Sequence, residues 1–332
     1  MAAHLSEKEN YLRTIGGGIP EYVPTYRMME WMFGPSALRP PFGEGGSFTN
    51  FFGVEFVSEI TANNAALPKP GAFILDDIRK WRDVIKRPPI LDEIDWDKMA
   101  KKDLDERDPS LPKMGGGGIT MGYFQALVSF MGFTNGLIAC IEEPEEVKEL
   151  MHFLLELNLE AGKKYLQYYK PDAYSGGDDI AHERAPFVSE EVFLDIFEPV
   201  WRAEIAPFKE AGLLAQHHNC GKFEAFIPHI VDMGYNSWDP AQFSNDLLGI
   251  KAKYGRKLTI CTGVQSSGFC SWPETTEEQI RAEVRRTIDL FAPGGGFCFM
   301  GHILGPLGDE ETARRNSWIE DEYQKNKFNY YN

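Results

Sequence analysis

Several things are missing from this chain, and each absence narrows what it can be. No run of 18 or more apolar residues occurs, so no membrane-spanning helix is expected. The first residues, MAAHLSEKENYL, lack a basic stretch followed by an apolar one, so a secretory signal is not expected. Cysteine is scarce, with 5 in 332 residues, at Cys140, Cys220, Cys261, Cys270 and Cys298. That odd, scattered set is no disulfide framework, and it points to the reducing cytosol. Positive charge is in deficit: 34 Lys and Arg stand against 50 Asp and Glu, a formal net charge of -16. Such a surface repels polyanions, which argues against nonspecific binding to nucleic acid or anionic lipid. No Gly-Lys-Ser/Thr follows Gly115–Gly118, so that glycine run is a loop and not a phosphate cradle.

What is present is a globular balance, 43% hydrophobic and 25% charged. Ser6 and Glu9 have capping-box spacing for a helix over 7–15, which Gly16-Gly17-Gly18 would stop. Residues 16–60 carry many aromatics, among them Tyr22, Tyr26, Trp31, Phe33, Phe42, Phe48, Phe51 and Phe52. That region reads as irregular and packed, since a flexible linker would be polar. From about residue 143 a regular rhythm sets in. Glu143-Pro144 opens a long helix that Pro171 ends. Strands are expected over 173–177, 213–218, 235–238, 258–261 and 297–300, each followed by a helical pattern. Alternation of this kind means parallel strands with helical crossovers. The first 140 residues have room for three more units. The expected fold is therefore α/β, a (β/α)8 barrel spanning 1–332 as one domain, with residues 1–60 packed on it as an aromatic-rich extension.

In a barrel, chemistry sits at the C-terminal ends of the strands. Five ends can be read: Asp178 and Asp179; His217, His218 and Cys220; Trp238 and Asp239; Gln265; and His302. The sharpest is His217-His218-Asn219-Cys220-Gly221. Residues two apart share a face of a strand, so His218 and Cys220 can point at one ion, and nitrogen with thiolate suits zinc. A packed Cys beside a hydrogen-bonded His fits the same letters. His302 is a third ligand or a residue that orients substrate. Asp178, His217 and Asp239 are candidate catalytic groups, and Trp238, Gln265 and Asp179 candidate substrate contacts. Either acid of the Asp178-Asp179 pair is also a candidate cap for the next segment. Cys261 and Cys298 read as small core residues, with Cys298 a reserve ligand.

The stretch from Ser175 through Gly221, SGGDDIAHERAPFVSEEVFLDIFEPVWRAEIAPFKEAGLLAQHHNCG, resembles the central part of the uroporphyrinogen-decarboxylase superfamily. So does Pro293-Gly294-Gly295-Gly296 with Gly301-His302 after it, and the likeness spans roughly residues 115–325. Asn10-Tyr11-Leu12-Arg13, with Pro20-Glu21-Tyr22-Val23-Pro24, is similar to the branch that demethylates methyl ethers with corrinoid proteins. The resemblance implies a methyltransferase. It would carry a methyl group from a small molecule, an aryl methyl ether first among them, to the Co(I) corrinoid of a partner protein. It implies zinc held by His218 and Cys220, with His302 where the family has a late cysteine. No Asp-x-His-x-x-Gly signature occurs, so the cobalamin is expected on the partner. A cofactor-free decarboxylase of the same superfamily would need clustered arginines, whereas Arg13, Arg27 and Arg39 are isolated. A non-catalytic barrel scaffold is the third reading, and nothing in the composition opposes a homodimer.

Overall fold

The computed structural model describes residues 4–39, 46–59, 65–120, 122–266, 268–306 and 308–331. Phe42, one of the aromatics of the N-terminal region, lies outside them. The helices are α1 (Glu7–Ile15), α2 (Met28–Trp31), α3 (Trp81–Val84), α4 (Ile90–Glu93), α5 (Trp96–Asp105), α6 (Tyr123–Met131), α7 (Phe133–Glu142) and α8 (Pro144–Tyr169). They continue with α9 (Glu190–Val192), α10 (Glu198–Glu210), α11 (Ile227–Met233), α12 (Leu247–Tyr254), α13 (Glu277–Phe291) and α14 (Glu310–Asn326). The strands are β1 (Ser47–Thr49), β2 (Glu55–Glu59), β3 (Ala65–Pro68), β4 (Tyr174–Gly177), β5 (Ala215–His218), β6 (Ser237–Asp239), β7 (Thr259–Thr262) and β8 (Phe297–Phe299). No single described helix is long and apolar enough to cross a membrane.

β4 to β8 form one parallel sheet in chain order, with α10, α11, α12 and α13 as the crossovers. All five strands fall where the alternation predicts. So does the cap of α1: Ser6 with Glu9 makes the reciprocal pair of a capping box, and Thr276 with Gln279 makes another at α13. Asp309 caps α14, and the left-handed Lys170 ends α8 just before Pro171.

The first 140 residues depart from expectation. In place of three further strand–helix units they supply short helices and a separate antiparallel sheet, β1-β2-β3. Among the described residues their strand-type pairing with the parallel sheet is limited to isolated bridges. Thr25 pairs with Phe299 at one edge, and Ala173 with Met114, and Met114 with Met32, at the other. Among the described residues no bridge joins Thr25 to Met32. The sheet therefore has five strands plus these bridged residues, and no closed eight-stranded ladder is seen. Pairing at a single residue in each segment leaves no side-chain alternation, which is why these segments carry no strand signal.

The two faces of the parallel sheet meet different partners. Along β5, Ala215 and His217 face one way and Gln216 and His218 the other. The first face packs against the crossover helices in a large aromatic core that includes Trp201, Phe223, Tyr235 and Trp238. Fully burying each such ring contributes about 2–3 kcal/mol. The second face looks toward α1 and a separate buried cluster of Tyr11, Ile15, Tyr26, Trp31, Met114, Cys261 and Cys298. Close strand approach is enforced at Gly177, where a Cβ would lie 2.1 Å from the His218 carbonyl oxygen.

Candidate metal centre

β4, β5 and β6 end side by side, in register Gly177 with His218 and His218 with Asp239. The residues at and just past those ends make the site. Asp239 is fully buried, and its Oδ2 lies 2.8 Å from Nδ1 of His218. A carboxylate accepts only, so Nδ1 donates to it and Nε2 is the ring nitrogen left to face the other side chains. That Nε2 is 3.8 Å from Sγ of Cys220 and 3.8 Å from Oδ1 of Asp179. One ligand atom from each of Asp179, His218 and Cys220 lies within 4.8 Å of the other two.

Spacing and donor set fit a cation. Ligand atoms around a tetrahedral zinc lie about 3.3–3.6 Å apart, given metal–ligand bonds of about 2.0–2.3 Å. Nitrogen, thiolate and carboxylate are the zinc donor types. Asp239 behind His218 is the outer-shell carboxylate that usually orients a ligating imidazole. The local electrostatics agree. Burial opposes a charge on His218, yet Asp239, Cys220 and Asp179 together hold its pKa well above the usual histidine range. Burial pushes the Cys220 thiol up, with Asp179 adding to the rise against the pull of His218. Two would-be anions facing one imidazole are a site short of positive charge.

The remaining predicted residues are placed as follows. Asp178 does not join the cluster. Its carboxylate accepts the N–H groups of Tyr123, Phe124 and Gln125 at 2.8, 2.6 and 3.0 Å, anchoring the N-terminus of α6. Burial pushes this carboxyl up to about 7 against those donors. Gly122 is required there, at φ +137°, because a Cβ would lie 2.5 Å from the Asp178 carboxylate. His217 is on the opposite face of β5, ringed by Trp201 at 4.6 Å, Tyr235 at 4.9 Å and Phe223 at 5.4 Å. Neither of its nitrogens has a hydrogen-bond partner, and burial lowers its pKa to about 3. Trp238 shares that face, fully buried, with Nε1 donating to the Asn219 carbonyl at 3.1 Å. His302 is not one of the three clustered ligands, and Asp179 takes that place. Instead His302 and Gln265 line a cavity of about 30 Å³ beside β7 and β8, with Gln242, Thr262, Cys261 and Met300. Burial lowers the pKa of His302.

Sequence reasoning missed two residues behind the centre. Nε2 of Gln216 donates to Oδ1 of Asp239 at 2.5 Å, and Oε1 of Gln216 accepts from the hydroxyl of Tyr11. Gln216 was findable, since it lies two residues before His218 on one strand face. Nothing local in the sequence links Tyr11 to it.

A parallel α/β sheet with metal-ligand side chains gathered past its carboxyl ends defines the class. Among solved structures the chain is similar to a methyltransferase from Methanosarcina mazei, with a TM-score of 0.61 over 97% of this chain and 100% of that one. The two sequences are 13% identical, so the likeness is one of fold. No family model matches the sequence, and no curated protein matches it.

Proposed function

We propose that this chain is a zinc-dependent methyltransferase that moves a methyl group from a small methylated donor, an aryl methyl ether by preference, to the Co(I) corrinoid of a partner protein. The observation that carries the reading is the convergence of Asp179, His218 and Cys220. The fold likeness to a methyltransferase and the resemblance of the 175–221 segment support it. We read the whole chain as one (β/α)8-barrel domain, in which Thr25, Met32 and Met114 mark the three strand positions beyond β4–β8. We place it in the cytosol, where free thiols such as Cys220 persist.

In this reading Asp179, His218 and Cys220 hold the ion, and Asp239 fixes the ring of His218. Zinc there supplies Lewis acidity toward the departing oxygen. His302 and Gln265, beside the small cavity, are proposed to contact the donor. Transfer breaks the methyl carbon–oxygen bond, the methyl passes to the acceptor, and the oxygen leaves with the bonding pair and then takes a proton. The decarboxylase reading gains no support, because two of the three isolated N-terminal arginines are engaged elsewhere. Arg27 pairs with Glu7, Glu30 and Glu320, and Arg39 donates to the Gly34 carbonyl.

One observation favours a second reading. Cys220, His218 and Asp239 stand in the order of a thiol nucleophile, its base and the orienting acid. Against it, Oδ1 of Asp179 accepts the Cys220 N–H at 2.7 Å, which sets a carboxylate beside the thiol and occupies a donor that an oxyanion would need. Elemental analysis separates the two. About one zinc per chain, lost in Cys220→Ala, is expected, together with methyl transfer from anisole-type donors to a Co(I) corrinoid protein. A metal-free chain whose Cys220 is rapidly acylated by esters or thioesters would overturn the methyltransferase.

A further inference from the structure

The Asn10-Tyr11 pair of the first helix has no part in the reading above, and each residue makes a buried contact of a different kind. Asn10 binds the chain that follows: its Nδ2 donates to the Tyr22 carbonyl at 2.8 Å and its Oδ1 accepts the Glu21 N–H at 2.8 Å. Tyr11 points the other way, into the sheet. Its ring is held by Trp31 at 4.9 Å and Tyr26 at 5.7 Å, and its hydroxyl reaches Gln216. Tyr11, Gln216 and Asp239 are all fully buried.

The donor sense of this chain is fixed by chemistry. Asp239 only accepts, so the amide of Gln216 must turn its NH2 toward Oδ1. Oε1 of Gln216 then faces Tyr11, whose hydroxyl must donate. At the far end the other oxygen of Asp239 accepts from Nδ1 of His218, and Nε2 is turned toward Cys220 and Asp179. Tyr11, Gln216 and Asp239 are buried, so reversing one link would strand a donor or acceptor away from water. The order of residues on β5 makes this possible, because Gln216 and His218 share a face and Asp239 is the register partner of His218 on β6.

We infer that Tyr11 and Gln216 are positioning residues of the metal centre: a buried relay from the N-terminal helix that orients Asp239 and, through it, the metal-binding nitrogen of His218. This rests on the reading that Asp179, His218 and Cys220 bind a metal. The relay makes helix α1 part of the centre, although α1 lies more than 200 positions before Cys220 in the chain.

The test is zinc affinity, measured by competition with a chromophoric chelator on the full-length chain, alongside the visible spectrum of the Co(II)-substituted protein and a thermal melt. Gln216→Glu keeps the acceptor toward Tyr11 but sets a second carboxylate against Asp239. It is expected to weaken zinc binding about tenfold to a hundredfold and to shift the Co(II) bands. Tyr11→Phe removes only the last donor and is expected to weaken binding about threefold, below the outer-shell range. The double variant Gln216→Glu with Asp239→Asn reverses the donor sense of the middle link and is expected to bind zinc better than Gln216→Glu alone, a recovery that a purely structural role would not produce. Should Gln216→Glu melt early, Tyr11→Phe and the double variant carry the test. Wild-type affinity and an unmoved Co(II) spectrum in the folded variants would overturn the relay and leave the metal site standing. A wild-type chain that binds neither zinc nor Co(II) would overturn both.

Discussion

The two faces of β5 and β6 carry similar letters and do opposite things. Toward α1 lie Gln216, Asp239 and His218, each hydrogen-bonded to the next. Toward the crossover helices lie His217 and Trp238, and there the imidazole has no partner at all. A histidine on the first face is held nearly ready for a cation. Its neighbour on the second is a flat, neutral piece of the aromatic core. Residue type says little here. The face decides the chemistry.

Breaking this contrast starts with the largest effect. Cys220→Ala and His218→Ala each remove a ligand and should reduce bound zinc from about one per chain to background, read by elemental analysis, with activity lost alongside. Either variant keeping its zinc would place the metal elsewhere. Asp239→Asn should follow, weakening zinc binding about tenfold to a hundredfold by loosening His218, as chelator competition would record. An unchanged affinity would deny Asp239 its supporting role. Asp178→Asn tests the acid beside Asp179, the proposed ligand. It should cost about 1–2 kcal/mol in denaturant unfolding, through lost helix-capping bonds, while zinc is retained. Loss of zinc at normal stability would move Asp178 into the site.

The smallest effect at neutral pH belongs to the other face. His217→Phe should leave zinc unchanged and alter stability there by about 1 kcal/mol or less, since no hydrogen bond is removed. Its signature is in acid. His217 is faced by Trp201, Phe223 and Tyr235, which offer it no counter-charge, and its pKa falls from 6.5 to about 3. The unfolded chain then binds a proton that the folded chain refuses. This contribution to stability is present above 6.5 and is lost as pH falls toward 3. The variant should flatten that part of the stability–pH curve. Parallel curves for the two proteins would mean that the ring finds a partner after all.

Much of this was legible in the letters, and the failures have physical causes. The five strands could be placed because short apolar runs between helical patterns and turn residues leave little choice. His218 with Cys220 followed from alternation along a strand. The same alternation excludes His217 from their face, and it sets Trp238 opposite its neighbour Asp239. Which acid of the Asp178-Asp179 pair faces the site depends on how the chain leaves β4, and no local pattern encodes that. Asp179 in place of His302 is a matter of distance across the sheet. The N-terminal segments were illegible as strands because each is bridged at a single residue.

The adjacency of His217 and His218 also constrains how this chain can vary. The left-handed turn at Gly212 and the two residues after it lead directly into β5. Deleting or adding one residue there would advance the strand by a single step. The imidazole now among aromatic rings would be turned toward the ion's place, and the ligand would be turned into the grease. Length variation should therefore be absent from this stretch and tolerated in the loops that lie well before β4. The chain holds its chemistry here by counting residues, to an accuracy of one.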